Sequence, residues 1–325
     1  MEKINVMQPT PKISIIIPVK NEERKIEKCI QGILNQTIPP HEIIVIDSGS
    51  SDKTIQILTK FPKVKLIQIP GNEFDHGLTR NLGINKSTGD FCLLTVGDSY
   101  ACDKYWIESL IEGFLDEEII AVCGQQVVEH IEENNPLQWF NPVSEPRLKK
   151  VQYSPKDWSK LSPSQKLKAI SWDDVNAMYR RSALIEQPFV KTSYSEDAIW
   201  AKEALEKGHT LVYNPKSRVF HYHTEDYEYT FKRSLTTLYF RYRLTGNQPT
   251  GRNSIIEYAK IIYRLVFRYQ GGINTKLIWV AYNFKRHAAK QRATRLFIKK
   301  LSTSEKHLDD FHTLICGKPP IPRKL

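Results

Sequence analysis

Ile13-Ser14-Ile15-Ile16-Ile17-Pro18-Val19-Lys20-Asn21-Glu22-Glu23 is a near-continuous apolar run that breaks into a charged segment. Such a run fits a strand buried on both faces, which requires a sheet with helices packed on each side. Working outward, Ile43-Ile44-Val45-Ile46 repeats the pattern and ends at Asp47-Ser48-Gly49-Ser50-Ser51-Asp52, where Gly49 permits a tight turn and Asp52 can cap a helix. The sequence predicts strands at Ile13–Pro18, Glu42–Asp47, Val64–Ile69, Phe91–Val96 and Ile119–Gly124. Helices are predicted between them at Glu22–Asn35, Asp52–Lys60, Leu78–Asn85 and Lys104–Phe114. This alternation is that of parallel strands joined by crossover helices. In such sheets ligands sit at the carboxyl ends of the strands. Pro18–Glu22, Asp47–Asp52 and Gly97-Asp98-Ser99 are the polar segments at those ends, so they are expected to converge on one site.

The chain of 325 residues has enough length for one large domain and an extension. No apolar run approaches a bilayer-spanning length and the N-terminus lacks the apolar stretch of a signal peptide, so a cytoplasmic location is expected. Cys29, Cys92, Cys102, Cys123 and Cys316 are scattered without a C-x-x-C pair, which suggests neither a disulfide framework nor a zinc site. The net charge of +11 is uneven. Residues 227–300 carry sixteen Lys or Arg against Glu228 and Glu257, or +14, leaving −3 for the remainder. A near-neutral domain is thus followed by a basic, aromatic-rich region suited to an anionic surface.

Residues 129–169 are rich in Pro, Trp and Lys with poor periodicity and read as an excursion over the site or a partner-binding loop. Regular structure is expected again at Ile170–Arg180, in a helix beginning near Ser195, and in strands at Thr210–Tyr213 and Arg218–His223. Mainly helical chain is expected from Tyr227 onward, and Lys318–Leu325, with three prolines, reads as a disordered or surface-pinned tail.

Taken together, Ile13–Glu23 and Asp47–Asp52 resemble the start of the family 2 glycosyltransferases, inverting enzymes of the glycosyltransferase A fold, and the resemblance runs to about His223. It implies an α/β fold with a mostly parallel sheet flanked by helices, of the nucleotide-diphospho-sugar transferase type, over residues 12–225. A basic α-helical C-terminal extension would then span 226–325. Pro18, Asn21, Glu22 and Asp47 would line the base and ribose pocket, where carboxylates and backbone groups accept hydrogen bonds from base N–H and ribose hydroxyls. Glu73-Phe74-Asp75-His76-Gly77-Leu78-Thr79-Arg80-Asn81-Leu82-Gly83 is similar to a segment of the bacterial rhamnosyltransferase-like branch. There Arg80, whose planar fork matches phosphate oxygens, would meet the diphosphate or a sugar hydroxyl, with His76 nearby. A solvated helix position for Arg80 and a capping or packing role for His76 are the alternatives.

At Thr95-Val96-Gly97-Asp98-Ser99 most family members carry an Asp-x-Asp that binds Mg²⁺ or Mn²⁺. Here only Asp98 remains, a departure shared with the rhamnosyltransferase-like pattern. One carboxylate with phosphate oxygens and waters can still hold a hard divalent cation. His221 and His223 would point to the same side of a strand, and the resemblance makes His223 the second candidate metal ligand. Tyr194-Ser195-Glu196-Asp197-Ala198-Ile199-Trp200 matches the family's Glu-Asp pair at a helix start. Asp197 would be the general base for the acceptor hydroxyl and Glu196 would orient the acceptor or cap the helix. Trp172-Asp173-Asp174-Val175-Asn176 resembles the acceptor-side segment: Trp172 would stack on a sugar, with Asp173, Asp174 and Asn176 as hydrogen-bonding candidates.

The resemblance therefore implies an inverting hexosyltransferase using a nucleoside-diphosphate sugar, with dTDP-L-rhamnose suggested by the branch, and a divalent cation. The acceptor would be a glycan or lipid-linked glycan of a bacterial surface polysaccharide or capsule. In the basic region, Ile261-Ile262-Tyr263-Arg264-Leu265-Val266-Phe267-Arg268-Tyr269 interleaves apolar and cationic residues as a helix in a membrane interface does, packing of its apolar side against the catalytic domain being the alternative. Peripheral association with the inner face of the plasma membrane is expected, and no nucleic acid, since no nucleic-acid motif accompanies the charge. Two rivals use the same fold. A nucleotide-sugar-forming nucleotidyltransferase would need a Gly-rich loop where Val19-Lys20-Asn21-Glu22-Glu23 stands, and a non-catalytic glycan-binding or membrane scaffold would have no need of Asp98 and Asp197.

Overall fold

A computed structural model describes residues 11–250 and 254–317, so the proline-bearing tail at Lys318–Leu325 and the first ten residues lie outside the described residues. The strands are β1 (Ile13–Val19), β2 (Glu42–Asp47), β3 (Val64–Gln68), β4 (Phe91–Leu94), β5 (Tyr100–Ala101), β6 (Ile119–Val127), β7 (Lys149–Val151), β8 (Ala177–Arg180) and β9 (Thr210–Phe220). They form one sheet in the order β3-β2-β1-β4-β8-β6-β9-β5, with β7 also on β9. The flanking helices are α1 (Ile26–Leu34), α2 (Thr54–Leu58), α3 (His76–Lys86), α4 (Trp106–Ile111), α5 (Pro155–Lys160), α6 (Pro163–Ala169), α7 (Arg181–Glu186) and α8 (Glu196–Glu206).

Every residue of β1 and β2 is buried, as their apolar runs require. Period-2 alternation sends Ile13, Ile15, Ile17 and Val19 to a core under α1 and α4, and Ile16 to a second core under α3, α7 and α8. β3, β2, β1 and β4 are mutually parallel, and the register pairs Val19 with Asp47 at the carboxyl edge. The sheet is mixed beyond that point, because β8 runs antiparallel between β4 and β6. β9 is one eleven-residue strand where two were expected, since an irregularity between Cys123 and Gln125 of β6 lets the parallel β6–β9 ladder resume at Gln125–Arg218. That ladder ends with Val127 opposite Phe220, so Gln126 and His221 lie side by side at the sheet edge.

From Tyr227 the chain is helical, as expected: α9 (Tyr227–Thr245), α10 (Ser254–Ile262), a π-helical turn over Tyr263–Arg268, α11 (Ile273–Leu301) and α12 (Glu305–Cys316). α9, α11 and α12 bury a core of their own around Phe231, Leu235, Tyr239, Phe240, Phe297 and Leu308. Residues 129–169 are not a free loop. They carry a 3₁₀ turn at Pro136–Phe140, β7, α5 and α6, and Leu137 joins a small apolar cluster with Ile261, Leu265 and Trp279. None of the described helices is long and apolar enough to cross a membrane, and the five cysteines are free thiols.

Candidate active site

The carboxyl ends of β1, β2 and β4 meet the end of β9 around a cavity of about 630 Å³. Pro18, Lys20, Glu22, Ser48, His76 and Asp98 are among its lining residues, and α9 closes it with Tyr229, Lys232 and Arg233. The helical extension thus contributes a wall of the site. Asp47 is fully buried, and its Oδ2 accepts from the backbone N–H groups of Gly49 (3.0 Å) and Ser50 (3.1 Å), while Gly49 takes a φ of +86°. Its Oδ1 is buried without a hydrogen-bond partner. Asn21, at a left-handed φ of 58°, braces the first two strand ends: its N–H donates to Ser50 Oγ (2.9 Å) and its Oδ1 accepts from Ser51 N (2.8 Å). It is therefore a structural brace between loops. Burial, then the adjacent Asp98 carboxylate, push the Glu22 carboxyl up to about 7.

Asp98 is reached through Gly97, where a Cβ would meet Val19 Cγ1 at 2.7 Å and Glu22 Cγ at 3.1 Å, so the turn accepts only glycine without displacement. Around Asp98 three metal-ligating side chains converge. His221 Nε2 is 3.3 Å and His223 Nε2 3.0 Å from Asp98 Oδ2, and the two imidazole nitrogens are 3.0 Å apart. All three ligand atoms lie within 4.8 Å of one another. His221 had been noticed in the sequence beside His223 but not chosen; the irregular β6–β9 ladder brings both in.

The protonation pattern explains why these nitrogens crowd a carboxylate. Gln126 Nε2 donates to Asp173 Oδ2. Burial raises the Asp173 carboxyl, and with its Oδ2 accepting from the amide, Gln126 Oε1 faces His221 Nδ1 at 2.6 Å. With a cation bound, His221 would carry its proton on Nδ1 and present a lone pair at Nε2. Asp98 Oδ2 is buried with no hydrogen bond. Burial works to raise the Asp98 carboxyl, but His221, His223 and Lys25 outweigh it and hold it below the usual range. Burial keeps His223 below the ordinary imidazole value despite Asp98. An anion and a lone pair aimed at one point fit a divalent cation, and the mixed oxygen and imidazole donors suit Mn²⁺ or a similar borderline ion. Gln126 was not singled out in the sequence, although it belongs to a polar Gln125-Gln126 pair at the end of a strand.

The second group of predicted residues lies around α8. Ser195 begins it at φ 61°, a strained conformation for a non-glycine residue, and sets Asp197 in the first turn three residues after Tyr194, which lines the cavity. Asp197 Oδ1 accepts from Ala198 N at 2.7 Å. Burial first, then Glu196, Asp174 and Asp173, raise its carboxyl well above the ordinary range. Beneath it Arg80 is buried, bound to Glu196 and 3.5 Å from Asp174, with His76 O accepting from it at 3.3 Å. Arg80 thus neutralises the carboxylates under Asp197; it does not face the cavity around Asp98. Glu196 is spent on Arg80, so it supports its neighbour and leaves no free acid for an acceptor. Burial also raises Asp174, whose Oδ1 accepts from the Tyr179 hydroxyl.

The acceptor-side candidates are core residues in part. Trp172 is 8% exposed and donates its indole N–H to the Tyr179 hydroxyl at 2.6 Å, so it packs in the core where sugar stacking had been expected. Asn176 is buried with both ends committed: Oδ1 accepts from Trp106 Nε1 (2.8 Å) and Nδ2 donates to Ser217 O (3.0 Å). It fastens β8 to α4 and β9. Asp173 accepts from Val175 N and Gln126, so it acts on the His221 side.

Residues 14–187 match the family model described as glycosyl transferase family 2. The chain is a family 2 glycosyltransferase. It is 31% identical over 229 residues to the O-antigen chain rhamnosyltransferase RfbN of Salmonella typhimurium, covering 70% of this chain and 71% of that one. It is 29% identical over 236 residues to WbaN of Salmonella anatum, with the same coverage. Among solved structures, Staphylococcus aureus TarS 1–349 in complex with UDP-GlcNAc superposes with a TM-score of 0.56 at 16% identity, covering 94% of this chain and 81% of that one. The mannosyltransferase PcManGT of Pyrobaculum calidifontis, in complex with GDP-Man and Mn²⁺, gives 0.53 at 15% identity, covering 94% and 84%. These likenesses establish the glycosyltransferase A fold of this glycosyltransferase, with its mixed sheet and helical C-terminal region.

Proposed function

We propose that this glycosyltransferase moves a sugar, rhamnose in the reading its relatives favour, with inversion from a nucleoside-diphosphate donor to a growing surface glycan. The observation that carries the donor half is the convergence of Asp98, His221 and His223 in the lining of a cavity that Pro18, Glu22 and Ser48 also line. Asp47 lies behind this lining, fully buried with Oδ1 unpartnered, next to Ser48, which does line the cavity where a base or ribose would sit. A divalent ion held by Asp98, His221 and His223 would neutralise charge on the leaving diphosphate. Lys25, 3.9 Å from Asp98, adds a fixed positive charge on the same side.

Asp197 then takes the proton of the acceptor hydroxyl as its oxygen bonds to the anomeric carbon and the bond from that carbon to the diphosphate oxygen breaks. Its raised pKa brings it closer to the pH at which a carboxylate is both ionised and an effective base. Exposed cations and apolar side chains on α10 and α11 support association with a membrane surface, at the inner face of the plasma membrane if the acceptor is lipid-linked.

The test is hydrolysis or transfer from a panel of nucleotide sugars, with and without Mg²⁺ or Mn²⁺. One donor should be consumed in a metal-dependent way, and Asp98→Ala and Asp197→Asn should each reduce turnover by two or more orders of magnitude. If no donor is bound or consumed at millimolar concentration, the chain serves as a glycan-binding scaffold and the reading fails.

A further inference from the structure

A second cavity, about 1030 Å³, lies against the first and shares His221, His223 and Arg233 with it. It runs between the end of β6, the segment at Leu137–Asn141 and helices α9, α10 and α11. Five cations line it, Arg233, Arg241, Arg264, Arg286 and Lys290, against two carboxylates, Glu225 and Glu257, so its wall is +3 among the described residues. Glu225 is already committed: it binds Arg233 at 2.6 Å and Arg286 at 3.4 Å. Arg286 Nε is buried with no hydrogen bond. Among the described residues no ion pair engages Arg241 or Arg264, and the wall's two carboxylates pair with other cations. Unneutralised guanidinium groups in a cleft favour a phosphate-type anion, for which their planar forks are matched.

The helices that wall this cleft also carry exposed apolar side chains outside its lining. Ile255 and Ile256 of α10, Phe267 of the π-helical turn, and Ile273, Leu277 and Ile278 at the start of α11 are each at least half exposed. Lys260, Arg268 and Lys276 stand among them. α9, α11 and α12 bury most of their apolar residues in a core of their own, and although Leu314 of α12 is 81% exposed, the exposed apolar residues are concentrated on α10, the π-helical turn and the start of α11. A soluble anion has no use for such a surface, whereas an amphiphile does.

We infer that this cleft binds the phosphate or diphosphate of a lipid-linked acceptor, with the lipid leaving along the exposed apolar residues of α10 and the start of α11 toward the membrane and the glycan reaching the shared wall at His221 and His223. This rests on the transferase reading, because it makes the cleft's ligand the acceptor whose far end meets the donor.

The test is calorimetric binding of farnesyl diphosphate to the full chain in EDTA, with inorganic pyrophosphate, farnesol and phosphatidylglycerol vesicles as separate arms. Variants are Arg264→Gln and Arg241→Gln/Arg264→Gln, with metal-dependent donor hydrolysis as the check that each is folded; Asp98→Ala reports binding that strays to the donor side. Farnesyl diphosphate is expected to bind more tightly than pyrophosphate or farnesol, and the double variant to weaken it about tenfold or more with donor hydrolysis unchanged. In transfer assays the same variant should raise the acceptor KM and leave the donor KM alone. Equal binding by wild type and the double variant overturns the inference, as does a loss confined to Asp98→Ala. Equal affinity for pyrophosphate and farnesyl diphosphate makes it a free-phosphate site, and a loss confined to vesicle binding makes these arginines a lipid-headgroup contact; either result overturns it. Should wild type consume no donor yet bind farnesyl diphosphate through Arg241 and Arg264, the transferase reading falls while the cleft's chemistry stands.

Discussion

Gln126 connects two halves of the site that are far apart in sequence. Its Nε2 donates to Asp173 while its Oε1 faces His221 Nδ1, so a change at Gln126 would alter the tautomer of the proposed metal ligand His221 without touching the metal. Gln126→Leu is therefore expected to raise the divalent ion concentration needed for half-maximal activity by about 10–100-fold, with turnover recovering at saturating metal. Asp197→Asn should behave in the opposite way: turnover falls by about 10²–10⁴-fold, while donor affinity and metal dependence stay as they are. Because burial and the Glu196, Asp174 and Asp173 carboxylates raise the Asp197 pKa, the wild-type kcat/KM should fall as pH drops through a value above the ordinary carboxylate range, and that acidic limb should be lost in Asp197→Asn. Asp98, His223 and Asp197 were candidates in the sequence because each sits in a short motif at a strand or helix end, and the structure brings Asp98 and His223 together with His221. Arg80, Trp172 and Asn176 were misplaced for one reason: their types suit sugars and phosphates as well as they suit buried partners, and only packing decides which they meet.

At the scale of elements, Glu42 shows how the parallel half of the sheet is tied together. Its Oε1 accepts from Ser14 Oγ at 2.7 Å and from Thr88 N at 2.7 Å, and Lys65 Nζ lies 2.6 Å from Oε2, so one carboxylate joins β1, β2, β3 and the turn before β4. Burial works to raise it, but Lys65, Ser14 and Thr88 together lower its pKa to about 2. A depressed carboxyl contributes fully above its unfolded value of 4.5 and loses that contribution as pH falls toward 2. Glu42→Gln should thus cost about 1–3 kcal/mol at pH 7, mostly from the buried Ser14 and Thr88 bonds since Lys65 is exposed and screened. Denaturant unfolding at pH 7 and at pH 3 checks this: the gap between variant and wild type should shrink at the lower pH. The strands β1 to β4 could be read from apolar runs because burial on both faces leaves that signature. β8 was expected only as regular structure within Ile170–Arg180, since its four residues, Ala177–Arg180, are too short to show a period, and its antiparallel insertion is fixed by contacts on either side.

For the whole molecule, the charge asymmetry marked where the helical extension begins, but not that it would fold back onto residues 129–169 and wall both cavities. That contact is long-range and leaves no local pattern. Its polar centre is a reciprocal amide pair: Asn135 Nδ2 donates to Asn283 Oδ1 at 2.8 Å and Asn283 Nδ2 donates to Asn135 Oδ1 at 2.9 Å. Asn135 is fully buried and Asn283 nearly so, with Leu137, Ile261, Leu265 and Trp279 forming the apolar cluster beside them. Removing one amide strands the donor and acceptor of the other in a dry site, at about 1–3 kcal/mol, whereas removing both leaves less unpaired. Asn135→Leu and Asn283→Leu are accordingly each expected to lower stability by that amount, and the double variant to cost clearly less than their sum. Asn135 also receives Leu137 N at 3.1 Å and Asn283 donates to Trp279 O at 2.8 Å, so the double variant still loses part of the total. A double-mutant cycle by chemical denaturation measures the coupling. A coupling near zero would mean that the excursion and α11 are held by the apolar cluster alone, and the shared wall of the two cavities would then depend on that packing.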